Sequence, residues 1–121
     1  MGGARGGAGG NSVRGVYAGG IVDSQINKII EFVTIASTGN ATVFGELTVA
    51  RRNSPECNDN ATRAVFCAGI ADDGTAPAHT NYMDYITIAS AGNAQDFGDM
   101  TNRDNFQVIG FSDSHGGLGG Y

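Results

Sequence analysis

The stretch FVTIASTGNATVFGELT, Phe32 to Thr48, recurs as YITIASAGNAQDFGDMT, Tyr85 to Thr101. Ten of the seventeen aligned positions are identical and four more are conservative exchanges (Phe/Tyr, Val/Ile, Glu/Asp, Leu/Met). A chain that writes one small unit twice is a repeat chain, and each unit has to bury its faces against a neighbour. Outward from this segment, SVRGVYAGG (Ser12 to Gly20) matches ATRAVFCAGI (Ala61 to Ile70), and TVARRNSPECNDNA (Thr48 to Ala61) faces TNRDNFQVIGFSDS (Thr101 to Ser114). The period is therefore close to fifty residues, with slack of a few residues that loops absorb and strands do not.

Twenty glycines, no tryptophan and two prolines in 121 residues disfavour a helical bundle, because glycine inside a helix costs roughly 1 kcal/mol per site. They suit short strands joined by tight turns. Four strands are expected in each period. The first is SPEC (Ser54 to Cys57), recurring as FQVIGF (Phe106 to Phe111). The second is RGVYAG (Arg14 to Gly19), recurring as RAVFCAG (Arg63 to Gly69), and the third IIEFVTIAS (Ile29 to Ser37), recurring as MDYITIAS (Met83 to Ser90). The fourth is TVFGELT (Thr42 to Thr48), recurring as AQDFGDMT (Ala94 to Thr101). NDNAT (Asn58 to Thr62) and SDSHGG (Ser112 to Gly117) join first strand to second. STGN (Ser37 to Asn40) and SAGN (Ser90 to Asn93) join third to fourth, with Gly-Asn expected to supply the positive-φ positions of a tight hairpin.

The third strand is apolar on both faces, with Ile29, Val33 and Ile35 on one and Ile30 and Phe32 on the other, so both faces call for cover. Four antiparallel strands per fifty residues, covered by their own neighbours, describe the blades of a β-propeller. On that reading Phe44 and Phe97 are packing between blades, and Gly39, Asn40, Gly92 and Asn93 are hairpin geometry. The fold class expected is all-β: antiparallel four-stranded blade-like repeats, about two per chain, with the ring completed by oligomerisation. The whole of 1–121 reads as a single repeat domain. It comprises a Gly-rich segment (1–11), repeat 1 (12–61), repeat 2 (62–114) and a partial closing strand (115–121). MGGARGGAGG (Met1 to Gly10) contains ARGGAGG, a thinned copy of the second-strand segment VRGVYAGG, and SHGGLGGY (Ser114 to Tyr121) ends the chain in a similar way.

The net charge is minus five, with one lysine, Lys28, and six scattered arginines, which argues against a nucleic-acid partner that would need clustered positive charge. No apolar run has the length of a membrane span or of a signal peptide, so no membrane partner is expected. Cys57 and Cys67 fit no metal-site spacing; two small buried apolar residues are the favoured reading, a disulfide the other. Asp72 and Asp73, like Asn58, Asp59 and Asn60, lack the ligand spacing of a calcium loop. His79 and His115 come with no nucleophile elbow, and the glycine runs precede no helix start that would cradle a phosphate. No catalytic, cofactor-binding or metal-binding residue is assigned, no cofactor is expected, and the ligand-binding residues, if any, are unknown.

The order of apolar strand, Gly19-Gly20, second apolar strand, aromatic (Phe44, Phe97) and late arginine (Arg51, Arg103) resembles the kelch repeat. More closely, TIASTGNA and FGELTVARR look like the repeats of structural proteins of marine bacteriophages and cyanophages, over nearly the whole chain. That resemblance implies a non-enzymatic particle component, such as a fibre, appendage or surface decoration. It would be made in the host cytoplasm and sit in the virion, touching other virion proteins. Propellers have four to eight blades, so about two per chain implies completion by other copies, with a cyclic trimer favoured. The rival expectation is an oligomeric propeller lectin that binds host surface glycans between blades. The absence of Trp and the exchange of Tyr17 for Phe66 and of Phe32 for Tyr85 weaken it.

Overall fold

Asn11 and Asn60 each open a strand in the same way. The Asn11 side-chain oxygen accepts the N–H groups of Val13 and Arg14, both at 2.9 Å, and that of Asn60 accepts those of Thr62 and Arg63 at 2.8 and 2.7 Å. The N–H of each asparagine donates to the carbonyl three residues on, Arg14 or Arg63, at 3.0 Å. A short amide side chain that mimics a backbone turn is the reason asparagine stands here. Strands follow on both sides of each turn. In a computed structural model that describes residues 7–52, 56–71 and 78–101, the strands are β1 (Gly7–Gly10), β2 (Arg14–Ala18), β3 (Ile21–Val22), β4 (Gln25–Ile26), β5 (Ile29–Thr34), β6 (Thr42–Glu46) and β7 (Arg51–Arg52). The second half adds β8 (Glu56–Asp59), β9 (Arg63–Cys67), β10 (Ile70–Ala71), β11 (Ala78–His79), β12 (Tyr82–Thr87) and β13 (Gln95–Asp99).

The protein is all-β and antiparallel among the described residues, and it contains the same four-stranded sheet twice: β1-β2-β5-β6 and β8-β9-β12-β13. Positions correspond at a spacing of 49 residues in the first two strands (Arg14 to Arg63) and 53 in the last two (Phe44 to Phe97). The extra four lie in the loop of an inserted hairpin: two residues separate β3 from β4, and six separate β10 from β11. The backbone repeats bond for bond. Gly19 N–H to Ile29 O matches Ala68 N–H to Tyr82 O, and Leu47 N–H to Lys28 O matches Met100 N–H to Asn81 O. Each fourth strand bulges at its phenylalanine: Ile30 opposes Gly45 and Glu31 opposes Val43, leaving Phe44 as the extra residue, and Phe97 is extra between Gly98 and Asp96.

Several expectations are corrected. Gly7–Gly10 pairs with β2 as the first strand of the first sheet, not as a weakened second strand, so that sheet begins inside the segment set aside as Gly-rich. Glycine serves there because the strand passes close to its neighbour. The SPEC strand lies two residues later, at Glu56–Asp59. The second strands stop at Ala18 and Cys67, because Gly19 and Ala68 take positive φ (75° and 64°). The third strands end at Thr34 and Thr87, where Ser37 and Ser90 fold their N–H groups back at 3.1 and 3.0 Å. The following loop is therefore wider than a tight hairpin, and neither Asn40 nor Asn93 is at positive φ. The third strand of the first sheet is covered unequally: Ile30 is fully buried on one face, Ile29 and Val33 are only half-buried on the other, and Ile35, just beyond its end, is 61% exposed. The expected strand Phe106 to Phe111, the turn Ser112 to Gly117, Asp72, Asp73, Arg103, His115 and the closing strand 115–121 lie outside the described residues.

The β3–β4 hairpin turns on Asp23 and Ser24, both at positive φ (51° and 66°). That is the geometry of a two-residue primed turn, for which glycine is the natural second residue. Ser24→Gly is expected to raise stability by about 0.5 kcal/mol, the relief of left-handed strain less glycine's extra chain entropy. Urea denaturation of the two proteins side by side checks it.

Candidate functional site: the seam between the two sheets

The first sheet presents Val16, Ala18, Ile30 and Phe44 from its front. The second presents Cys57, Ala64, Phe66, Ile86 and Ile88, and together with Leu47 and Ala94 these form one buried cluster. Alternation along the strands fixes what this means. Val16 corresponds to Val65 and Tyr17 to Phe66, so the front of the first sheet meets the back of the second. The two like units stack front to back and do not meet through a shared face.

Three close approaches hold the seam. The first is at the first strands, where a Cβ on Gly9 would collide with Cys57 Sγ, while Gly10 N–H donates to Asp59 Oδ2 at 2.8 Å. Nearby, Asn11 Nδ2 donates to Ala61 O and Arg14 to Ile88 O, both at 2.9 Å. The second is at the fourth strand. The Ala91–Ala94 turn lies along the edge of β6, with Gly92 N–H donating to Phe44 O and Ala94 N–H to Glu46 O at 2.8 Å each. Glu46 N–H donates in return to Asn93 Oδ1 at 3.2 Å. Gly45 has to be glycine for this, because a Cβ there would run into the Gly92 carbonyl and come within 2.9 Å of Asn93 N.

The third approach is ionic. Arg51, in β7 on the linker, and Asp84, on the back of the second sheet, are 0% and 1% exposed and meet at 2.9 Å. Arg51 also donates to the Ala68 and Tyr82 carbonyls at 3.0 and 3.1 Å, and Thr48 donates to Asp84 Oδ2 through its N–H (2.9 Å) and hydroxyl (2.7 Å). Burial lowers the Arg51 pKa, and the Asp84 carboxylate counters it. β7 itself pairs with β10, so the linker is woven into the second unit.

Each sheet carries a stack of the same make on its front. The Arg14 guanidinium lies 4.4 Å over the Phe32 ring, which meets Phe44 edge to face at 5.8 Å and 85°. Arg63 lies 4.4 Å over Tyr85, which meets Phe97 at 6.0 Å and 76°. Of the two expected packing aromatics, Phe44 is buried and Phe97 is 48% exposed. Gly92 and Asn93 do more than shape a turn, since they are the contact to β6. Asp59, expected in the turn between first and second strands, lies at the end of β8 and is a seam acceptor. Asp84 carried no sequence signal of its own beyond alignment with Glu31, and the late arginine Arg51 gains its meaning only through it.

Cys57 and Cys67 are both buried and unbridged. Cys57 opposes Phe66 on the back of the second sheet, so Cys67, next to Phe66, points to the front, and the sheet separates the two sulfurs. Burial pushes the Cys67 thiol up, against a smaller pull from the Asn58 amide 3.7 Å away. A thiol that holds its proton more tightly when folded contributes stability at pH values below the unfolded thiol's, about 8.5, and loses it above. Stability of the native chain is expected to fall more between about pH 8 and about pH 10 than that of Cys67→Ala. Urea titrations at both pH values read the difference.

Grooves also recur at the two loop ends. One of about 160 Å³ is bordered by Phe32, Ser37, Gly39 and Asn40, and the other, of about 300 Å³, by Tyr85, Ser90, Gly92 and Asn93. Comparison with models of protein families and with curated proteins finds no match to this chain.

Proposed function

We propose that this chain is a non-enzymatic structural or adhesive component of a phage particle, built from propeller-like blades, with the ring completed by further copies. The observation that carries the reading is the front-to-back stacking of two like units, each unit giving its neighbour the face it does not itself cover. Blades around a propeller axis stack in this sense, whereas a two-layer sandwich closed on itself does not need to. The wording of the repeats, TIASTGNA and FGELTVARR, supports a place among virion proteins of marine phages. With two units per chain, three copies and six blades form the simplest closed ring in the usual propeller range. Mass photometry and negative-stain imaging of the purified full chain test the ring. An antibody raised against it and used to label purified phage particles tests the location. A stable monomer would sink the ring, and particles free of label would sink the virion reading.

The second reading, an oligomeric propeller lectin, draws on the paired grooves at the loop ends. An aromatic (Phe32 or Tyr85) and hydrogen-bonding Ser and Asn side chains border both, the kind of lining that grips a sugar. Saturable micromolar binding to one sugar class on a glycan array of the assembled protein would promote it over the structural reading.

A further inference from the structure

Front-to-back stacking leaves a chain with two unequal ends, and each end carries the counterparts of residues buried at the seam. On the back of the first sheet, Tyr17 is 50% and Ile35 61% exposed, while their counterparts on the second sheet, Phe66 and Ile88, are fully buried. A hollow of about 230 Å³ lies on this back face beside Ala8, Tyr17, Ile29 and Glu31. On the front of the second sheet the pattern reverses at most positions: Phe97 is 48% exposed where its counterpart Phe44 is 3% exposed, and Val65 and Met83 are half-buried where Val16 and Ile30 are fully buried, although Cys67 stays buried.

Polar and backbone groups follow the same rule. Gly45 receives the Gly92 turn, but its counterpart Gly98 has nothing nearer to an added Cβ than Met83 Cε at 3.7 Å. Asp84 is buried at the seam, where it accepts from Thr48, and its counterpart Glu31 on the first sheet is exposed. β10 carries β7 along one edge, while β3, its counterpart, pairs only with β4 among the described residues.

We infer that a second copy of this chain docks head to tail. The back of its first sheet and its Ser37–Ala41 turn seat on β13 and the Phe97 face of the first copy, repeating the contacts of the internal seam. The inference rests on the reading of the chain as a repeat-built assembly component, and it adds the surface used and its polarity. Because the two surfaces differ, the contact is heterologous: it propagates from copy to copy and closes as a ring or runs on as a filament. A two-fold dimer, in which one patch meets itself, is not built this way. The driving force is the same as at the seam, burial of Tyr17, Ile35 and Phe97 together with pairing of an open strand edge.

The test uses the full chain and places cysteines at Asn40 and Asp99, the counterparts of Asn93 and Glu46, which touch at the seam through a 3.2 Å hydrogen bond. Under mild oxidation the double variant N40C/D99C is expected to give covalent multimers. Neither single variant should crosslink alone, and a mixture of the two singles should stop at dimers. Crosslinking of a single variant with itself would replace the head-to-tail contact by a two-fold one. A double variant that stays monomeric overturns the inference as well. Tyr17→Lys and Ile35→Lys, both at positions exposed in the single chain, are expected to weaken self-association at least tenfold while leaving the far-UV circular dichroism unchanged. Unaltered association would overturn the proposed surface. Absence of the chain from phage particles would undo the virion reading but leave this crosslinking pattern intact, so the two failures are distinguishable.

Discussion

Gly45→Ala is expected to cost about 3 kcal/mol or more, the worth of three seam hydrogen bonds at about 1 kcal/mol each before any apolar burial is counted. The added methyl would sit inside the Gly92 carbonyl, which is backbone and cannot swing aside as a side chain would. The Ala91–Ala94 turn must lift away from β6, taking with it the bonds from Gly92 to Phe44, from Ala94 to Glu46 and from Glu46 to Asn93. The buried rings and methyls beneath, Phe44 and Ala94, are then wetted. Gly15→Ala supplies the control. A Cβ at Gly15 meets Tyr17 Oη and Val33 Cγ2 at ordinary 3.5 Å contacts, and the counterpart position in the second sheet is already Ala64. It is expected to be neutral or stabilising by up to about 1 kcal/mol, because alanine restricts the unfolded chain more than glycine does. Urea denaturation of the three proteins measures both; equal effects at the two sites would remove the close approach as the reason for Gly45.

Arg51→Ala is expected to cost about 3–5 kcal/mol, the usual loss when one partner of a buried ion pair is removed. The loss exceeds that of a surface bridge because the Asp84 carboxylate stays behind, 1% exposed, with Thr48 alone to satisfy it among the described residues. The Ala68 and Tyr82 carbonyls also lose their donor. Arg51→Lys is expected to recover little, since one ammonium group cannot reproduce a planar fork that reaches two carbonyls through one nitrogen and a carboxylate through the other. The double variant Arg51→Met/Asp84→Leu is expected to recover the part of the loss that comes from the stranded carboxylate, because replacing a buried pair by apolar groups removes the desolvation cost along with the attraction, while the Ala68 and Tyr82 carbonyls still lack their donor. Thermal denaturation of the four proteins separates the two explanations: a double variant as unstable as Arg51→Ala would mean that the linker's path, and not the buried charge, is what the pair maintains.

Much of the strand plan was legible in the residues. RGVYA and RAVFC, TVFGE and QDFGD sit where alternating apolar residues and flanking Gly and Asn placed them, within a few residues at the ends. The Gly7–Gly10 strand was not legible. Glycine has no side chain to mark a face, and the reason for it, close passage of Gly9 over Cys57, is a contact across about fifty residues of sequence. Asp84 was likewise hidden, because it aligns with an exposed Glu31, a carboxylate one methylene longer, and its role comes from what lies opposite.

By itself the sequence determined that a unit is repeated, that the unit is made of short antiparallel strands, and that no single copy covers its own apolar faces. Those properties follow from local spacing: period-two alternation, turn residues, and identity between the halves. Only the tertiary structure decided which face meets which. Phe44 and Phe97, like Ile35 and Ile88, are the same residue type, yet one of each pair is buried and the other open, because burial depends on the presence of a neighbouring unit and not on the residue. The front-to-back order of the two sheets, and with it the unequal ends that give this chain its polarity, exists only once the units are stacked.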